Sequence, residues 1–391
     1  MLRSPCRLLL DSNLDTMKTT IFFLVVLLSL PLQCPAAPAA GNYLSRLQNA
    51  VARSRTNLAS LTLSAGKAAG EFRSGGNIWA AGRQSDFVLE ACGRAGGLMA
   101  IAPLGGQVPA RHDIILYAVP GDLGPDDLKQ FDQWQEKGAL VIPFSSPAGL
   151  FANHFPIDTV ANVIDLWAWT GEFVAACTRL GQMPVLYQSY GLPGGLARWK
   201  KYQGKKFHDD LTIPHIATGV LGREYLDQVQ RMLAKINEAQ RPKILQAAKW
   251  WSEIPKASAI TLFTGHMFPR HAQDPRALQL SDFAAIPAGE TKGLLDASHP
   301  PAFVLCLGYQ FAPKKLLDQA KDMGVKLVYS VVQPAQSPEP TGNILYIDPA
   351  WPLADGCVSV TGYDVPILPA SGVVQAAIYW TLASECEKSS H

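Results

Sequence analysis

The chain has 391 residues, 48% of them hydrophobic and 17% charged, with a formal net charge of +2. That length is enough for two ordinary domains with real cores. Near-neutral charge, with basic residues clustered only around residue 200, argues against a nucleic-acid-binding protein.

The first segment reads as a leader. Met17-Lys18-Thr19-Thr20 precedes an apolar run from Ile21 to Leu32, and Ala36, Ala37, Ala39 and Ala40 follow. A charged start, an apolar stretch too short to span a bilayer and a small-residue exit predict a signal peptide over 1–40. Cleavage is expected after Ala39 or Ala40, because Pro38 disfavours cutting after Ala37. Met17 is an alternative start, with 1–16 an over-extended beginning. The expected location is secreted or periplasmic, with no stable membrane span.

Beyond the leader, strands alternate with helices. Helices are predicted over 58–74 and 126–137, and strands over 77–81, 114–119 and 140–142. A long apolar helix over 158–180 closes the unit. The order then recurs. A helix over 242–254 has Pro242 at its tolerated first position. Strands are predicted over 259–263, 303–307 and 325–329, a helix over 313–323 and a closing segment over 369–386. Lys137-Gly138-Ala139-Leu140-Val141 lines up with Met323-Gly324-Val325-Lys326-Leu327, a glycine ending each helix before the next strand. The expectation is an α/β, doubly wound chain of two modules, each a parallel sheet flanked by helices. The first module is placed at 41–222, a helical connector at 223–241 and the second module at 242–391. Cys92, Cys177, Cys306, Cys357 and Cys386 are odd in number, and none has zinc-ligand spacing.

Within the first module, Gly75-Gly76-Asn77-Ile78-Trp79-Ala80-Ala81-Gly82-Arg83-Gln84-Ser85-Asp86 predicts a buried strand, a glycine turn and a helix capped by Ser85. That helix is expected to stop at Gly96-Gly97. Backbone N–H groups at Gly82, Arg83, Gln84 and Ser85 then suit a phosphate or carboxylate.

The run from Gly82 to Ser85 and on to Arg94-Ala95-Gly96-Gly97-Leu98 resembles the first βα unit of the sugar isomerase (SIS) domain family, which binds phosphosugars. The likeness is to a bacterial branch with the pattern strand, GxGHS, helix, RAGGL. It covers most of 43–386 and is strongest in 82–98 and 158–208. Pro369-Ala370-Ser371-Gly372-Val373 is similar to the start of the family's last helix. Ala80 stands where the first glycine would be, and Gln84 where the phosphate-binding serine would be; Ser85 is the substitute one place later. The loops 119–125 and 308–313 lack the hydroxyls of the family's phosphate loop, and Asp122 would repel a phosphate. The resemblance implies tandem SIS-like modules and a small-molecule partner, a sugar phosphate or acidic sugar derivative. It implies an aldose–ketose isomerase or a catalytically degenerate relative. The alternative is a non-catalytic carbohydrate sensor or interaction module of the cell envelope. A hydrolase or lyase acting on cell-wall sugars is a third possibility. No cofactor or metal is expected, and a homo-oligomer is left open.

Candidate site residues follow from chemistry. The stretch from Gly191 through Tyr202 to His208 gathers glycines, aromatics and cations, so Arg198, Lys201 and Lys205 are candidates for holding an anionic sugar. Glu172, inside an apolar helix, is the candidate general base, with Asp165 as a second choice; His208 is the candidate acid. Gly265-His266-Met267-Phe268-Pro269-Arg270-His271 stands in the second module where Gly82 to Ser85 stands in the first. The expectation is one cleft lined by Gly82, Arg83, Gln84, Ser85, Arg198, Lys201 and Lys205 with Glu172 and His208.

Overall fold

Helix α1 (Tyr43–Arg73) starts well before the predicted residue 58. Leu44, Leu47, Val51, Leu58, Leu61, Ala65 and Phe72 recur at helical spacing on one buried face. A computed structural model describes residues 43–146, 156–255, 258–263, 277–279, 295, 301–310, 314–334 and 339–389. The predicted leader and the Gly265–His271 segment lie outside the described residues.

The first sheet is built from β1 (Ile78–Gly82), β2 (Ile101–Pro103), β3 (Ile114–Val119) and β4 (Leu140–Ser145), in the order β2-β1-β3-β4 and parallel throughout. Helices α2 (Ser85–Ala91), α3 (Pro125–Glu136) and α4 (Ile157–Arg179) belong to this unit. Helices α5 (Gly195–Tyr202), α6 (Val220–Lys235) and α7 (Arg241–Ser252) follow, with a π turn over Ile236–Gln240. The second sheet has β5 (Ala259–Phe263), β6 (Ala277–Gln279), β7 (Phe303–Leu307), β8 (Lys326–Ser330) and β9 (Ile344–Tyr346). Its order is β6-β5-β7-β8-β9, again parallel, with α8 (Lys314–Asp322) between β7 and β8. A short hairpin of β10 (Gly356–Val358) and β11 (Ile367–Pro369) leads into α9 (Ser371–Ser389). Two parallel sheets flanked by helices are therefore present, as the recurring pattern predicted.

The two sheets share one core. Ile78, Ala80, Leu116 and Phe144 of the first sheet join it, with Phe303, Leu305, Leu307 and Val328 of the second and residues of α1, α4, α6, α7 and α9. On the outer faces, Phe131 and Trp134 of α3 cover Ile115, Tyr117 and Val141, while Leu317 and Ala320 of α8 cover Val304, Cys306 and Leu327. Helix α4 is apolar on every side because it is enclosed on every side: Trp167, Trp169 and Phe173 are fully buried. Burying Phe173 alone contributes about 1.5–3 kcal/mol. Among the described residues, no helix is long and apolar enough to cross a membrane.

Two local expectations are corrected. Helix α2 ends at Ala91, short of Gly96-Gly97, because Cys92 turns extended and Gly93 and Gly96 take positive φ angles of 71° and 81°. Gly96 serves a close approach instead, donating to Tyr187 O at 2.8 Å and accepting from Leu368 N at 2.9 Å. The residue capping α2 is Gln84 rather than Ser85, and it makes no side-chain cap bond. The glycine-rich basic stretch contains the short helix α5, and residues 223–241 are helical, in α6, the π turn and the first residue of α7.

Candidate functional site

In the first sheet β1 is flanked by β2 on one side and β3 on the other, so its C-terminal end is a topological switch point, where open α/β sheets leave a crevice. Gly82 ends β1 with φ +122°, and a Cβ there would lie 2.0 Å from Ala118 O. Only glycine lets the chain turn this close to β3. Arg83 then donates its backbone N–H to Ala118 O at 2.8 Å. Its guanidinium reaches Asp127 Oδ2 at 2.9 Å and Asp122 O at 3.4 Å, with half of the side chain still exposed. Burial pushes the Asp127 carboxyl up, but hydrogen bonds from Gly124 N and Tyr117 Oη and the Arg83 charge outweigh it and hold the group below its usual range. Ser85 is exposed beside Arg83.

Behind this rim lies a buried polar chain. Gln84 donates to Asp158 Oδ2 at 3.3 Å and accepts from Asn162 Nδ2 at 2.8 Å. Asn162, fully buried on α4, also donates to Val119 O at 3.0 Å and accepts from Ser146 Oγ at 2.9 Å. Arg53 of α1 donates to Ser146 Oγ at 3.1 Å and to Asp165 Oδ2 at 3.4 Å. The protein's own side chains thus fill the strand ends. Sequence reasoning missed Asn162 and Arg53. The available signal for Asn162 was an amide in an otherwise apolar helix.

Glu172 is fully buried on α4, with both oxygens occupied. Oε2 accepts from Gly219 N at 2.6 Å and Thr62 Oγ1 at 3.1 Å, and Oε1 accepts from Gly222 N at 2.9 Å. Gly219 and Gly222 bracket the first turn of α6, so the carboxylate caps that helix.

The basic stretch neutralises itself. Arg198 is 7% exposed. It donates to Asp364 Oδ2 at 2.5 Å, Tyr363 Oη at 2.7 Å and Leu186 O at 3.3 Å, and lies 5.0 Å from the Tyr363 ring centre. Lys201 pairs with Asp210 and Lys205 with Asp209. His208 is held at Nδ1 by Asp210 Oδ1 at 3.3 Å and at Nε2 by Tyr363 Oη at 3.0 Å. Its pKa lies below the ordinary value; burial lowers it and Arg198 adds to this, against the opposing Asp210. Arg198, Lys201 and His208 are therefore brought together, with Tyr363 and Asp364 from beyond β10. Among the described residues, the Gly82–Ser85 rim, the Glu172 cap and this cluster form three bonding networks that share no partner.

At the seam between the two modules Arg94, 3% exposed, meets Asp355, 1% exposed, at 3.0 Å, and donates to Ser371 Oγ at 2.5 Å. Glu90 lies 3.5 Å from Arg94 Nε. Burial pushes the Glu90 carboxyl up to about 7, with Asp355 and Asp86 adding to the effect and Arg94 and Trp167 opposing it.

No family model matches the chain, and no curated protein matches it. Among solved structures, the chain is similar to a candidate phosphosugar isomerase from Silicibacter pomeroyi DSS-3, at 12% identity over 88% of this chain and 98% of that one, with a TM-score of 0.43. It is similar to a candidate sugar-binding protein from Salmonella typhimurium LT2, at 10% identity over 88% and 99% of the two chains, with a TM-score of 0.45. A candidate tagatose-6-phosphate ketose/aldose isomerase from Clostridium novyi NT matches at 10% identity over 89% and 88%, with a TM-score of 0.42.

Proposed function

We propose that this chain is an exported SIS-type protein that binds an acidic sugar derivative at the Arg83–Ser85 rim of its first module and does not isomerise it. In this reading the modules are 41–222 and 242–391, joined by 223–241, and export rests on the sequence pattern over 17–40. One observation carries the non-catalytic reading: the two groups that the sequence offered for moving a proton, Glu172 and His208, are tied into the frame. Both oxygens of Glu172 cap α6, and both ring nitrogens of His208 are engaged by Asp210 and Tyr363. Aldose–ketose isomerisation needs a base within reach of a sugar C–H. Glu172 and His208 are accordingly frame residues here, and Arg198, Lys201 and Lys205 are matched by their own acids.

Of the described candidate cations, Arg83 is the one at the strand-end turn, and its pair with Asp127 leaves half of the side chain exposed to meet a ligand. The exposed Gly82 and Ser85 flank it. A single carboxylate suits this rim better than a dianionic phosphate, because Asp122 and Asp127 lie next to the guanidinium. Thermal unfolding with D-glucuronate, D-glucose 6-phosphate and D-glucosamine tests the reading. Glucuronate should stabilise the chain most, and Arg83→Ala should weaken its binding by about 1.5–3 kcal/mol, one charge-assisted contact. An unchanged affinity in Arg83→Ala would remove the site. Deuterium uptake at C2 of a sugar phosphate in heavy water would establish isomerase chemistry instead.

A further inference from the structure

We infer that the second module carries a binding socket of its own, at the C-terminal ends of β7 and β8 under the start of α9, for a small uncharged molecule rich in hydroxyl groups. Two side chains define it. Gln375, fully buried on α9, donates its Nε2 to Gly308 O at the end of β7. That bond fixes the amide orientation and leaves Oε1 as the other end, buried and with no hydrogen-bond partner among the described residues. Ser330, fully buried at the end of β8, has an Oγ that is likewise without a partner. Both residues are tied to one glycine: Gly308 O accepts from the Gln375 side chain, and Gly308 N donates to the backbone O of Ser330 at 2.9 Å. Val328 points into the core shared with α9, so Ser330, two residues on, faces the same way.

The first module shows the same place closed. Asn162 on α4 donates to Val119 O just as Gln375 on α9 donates to Gly308 O, but the rest of its amide is satisfied by Ser146 and Gln84. The partner of Ala118 on β4 is Phe144, whereas the corresponding partner of Leu307 on β8 is Ser330. A ring that packs against Phe87 in one module is a hydroxyl with nothing to bond in the other. Leaving a buried polar atom unpaired costs about as much as a hydrogen bond is worth, so two at one strand end call for a partner.

The chemistry of that partner follows from the atoms. Gln375 Oε1 accepts only, so the occupant must donate, which a phosphate or carboxylate oxygen does not do. The start of α9 is already served by acids: Asp355 Oδ1 accepts from Ser371 N at 2.9 Å, and Glu90 lies where a Cβ on Gly372 would be. An anion is repelled there, and a neutral polyol is not. This inference is independent of the first-module site.

The test uses the full chain with free D-glucose as the probe, read by thermal unfolding and by titration calorimetry. Glucose should raise the melting temperature saturably, while glucose 6-phosphate should not do so through this site. Ser330→Ala loses no bond in the unliganded chain and removes an unpaired hydroxyl, so it should melt no lower than wild type yet bind glucose at least tenfold more weakly. Ser330→Val and Gln375→Met should weaken glucose binding likewise, Gln375→Met with a lower melting temperature because Gly308 O loses its donor. Arg83→Ala should lose the response to glucuronate and keep the response to glucose. The inference is overturned if glucose gives no shift, which means a water satisfies both atoms, or if the Ser330 variants bind glucose as wild type does. It is equally overturned if Arg83→Ala alone abolishes the glucose response, because the sugar then sits in the first module.

Discussion

Arg94 and Asp355 lie 3.0 Å apart across the seam between the two modules, each at most 3% exposed. Asp355 also accepts from Ala370 N and Ser371 N, so one carboxylate joins the run Arg94-Ala95-Gly96-Gly97-Leu98 to the start of α9. The motif that carries the family resemblance is here a structural joint. Gly96 accepts from Leu368 N, and Gly97 lies against Trp167, where a Cβ would be 3.1 Å from the ring.

Breaking this pair from one side leaves a buried charge unmatched. Arg94→Met and Asp355→Asn should each destabilise the chain by about 3–5 kcal/mol in urea unfolding. The double variant should lose clearly less than the sum of the two. Additive losses would mean the two groups do not depend on each other.

Glu90 makes the seam sensitive to pH. Its carboxyl is raised from 4.5 to about 7 by burial, and by Asp355 and Asp86, against Arg94 and Trp167. Between these two values the folded chain keeps a proton that the unfolded chain has released. The Glu90 contribution is therefore full below about pH 4.5 and falls by on the order of 3 kcal/mol as pH rises to about 7. His208, whose pKa is lowered chiefly by burial, acts in the opposite direction: its contribution is full above its ordinary 6.5 and lost as pH falls. Comparing wild type with Glu90→Gln cancels the histidine. The variant should be the more stable at about pH 8 and equal to wild type near pH 4.5, and a pH-independent difference would refute the assignment.

The Glu172 cap predicts a loss of stability rather than a loss of chemistry. Glu172→Ala should cost about 2 kcal/mol or more, because Gly219 N and Gly222 N lose their acceptor at the start of α6. Glu172→Gln should recover part of that, since an amide oxygen still accepts. Ligand affinity of either folded variant should match wild type; a selective loss of binding would put Glu172 back in the site.

The basic stretch should separate by burial. Arg198→Ala, which strips partners from Tyr363, Asp364 and Leu186 O, should destabilise the chain by about 2–3 kcal/mol. Lys201→Ala should leave stability nearly unchanged, because its partner Asp210 is also held by Tyr202 Oη at 2.8 Å and the pair is exposed. Neither change should alter glucuronate affinity. A large binding loss in Lys201→Ala would show that the stretch meets ligand after all.

The periodicity of apolar residues and the positions of glycine and proline determined the strands at 114–119, 259–263 and 303–307 and the two closing helices to within a few residues. These signals are local, since a fully buried parallel strand is a short apolar run and a helix enclosed on all sides is apolar all round. Short edge strands such as Ile101–Pro103 and Ile344–Tyr346 left no comparable signal, because a few residues paired on one side carry little pattern. Tertiary structure alone decided the employment of each charge. Glu172 was legible as a carboxylate in an apolar helix, but that it faces Gly219 and Gly222 depends on how α6 lies across α4. Arg198 was legible as a cation, but Asp364, far along the chain, arrives only when the modules pack. A residue type fixes what a side chain can bond; which partner it meets is set by long-range packing, and in this chain that packing turns Gln84, Glu172, Arg198 and His208 inward to hold the frame.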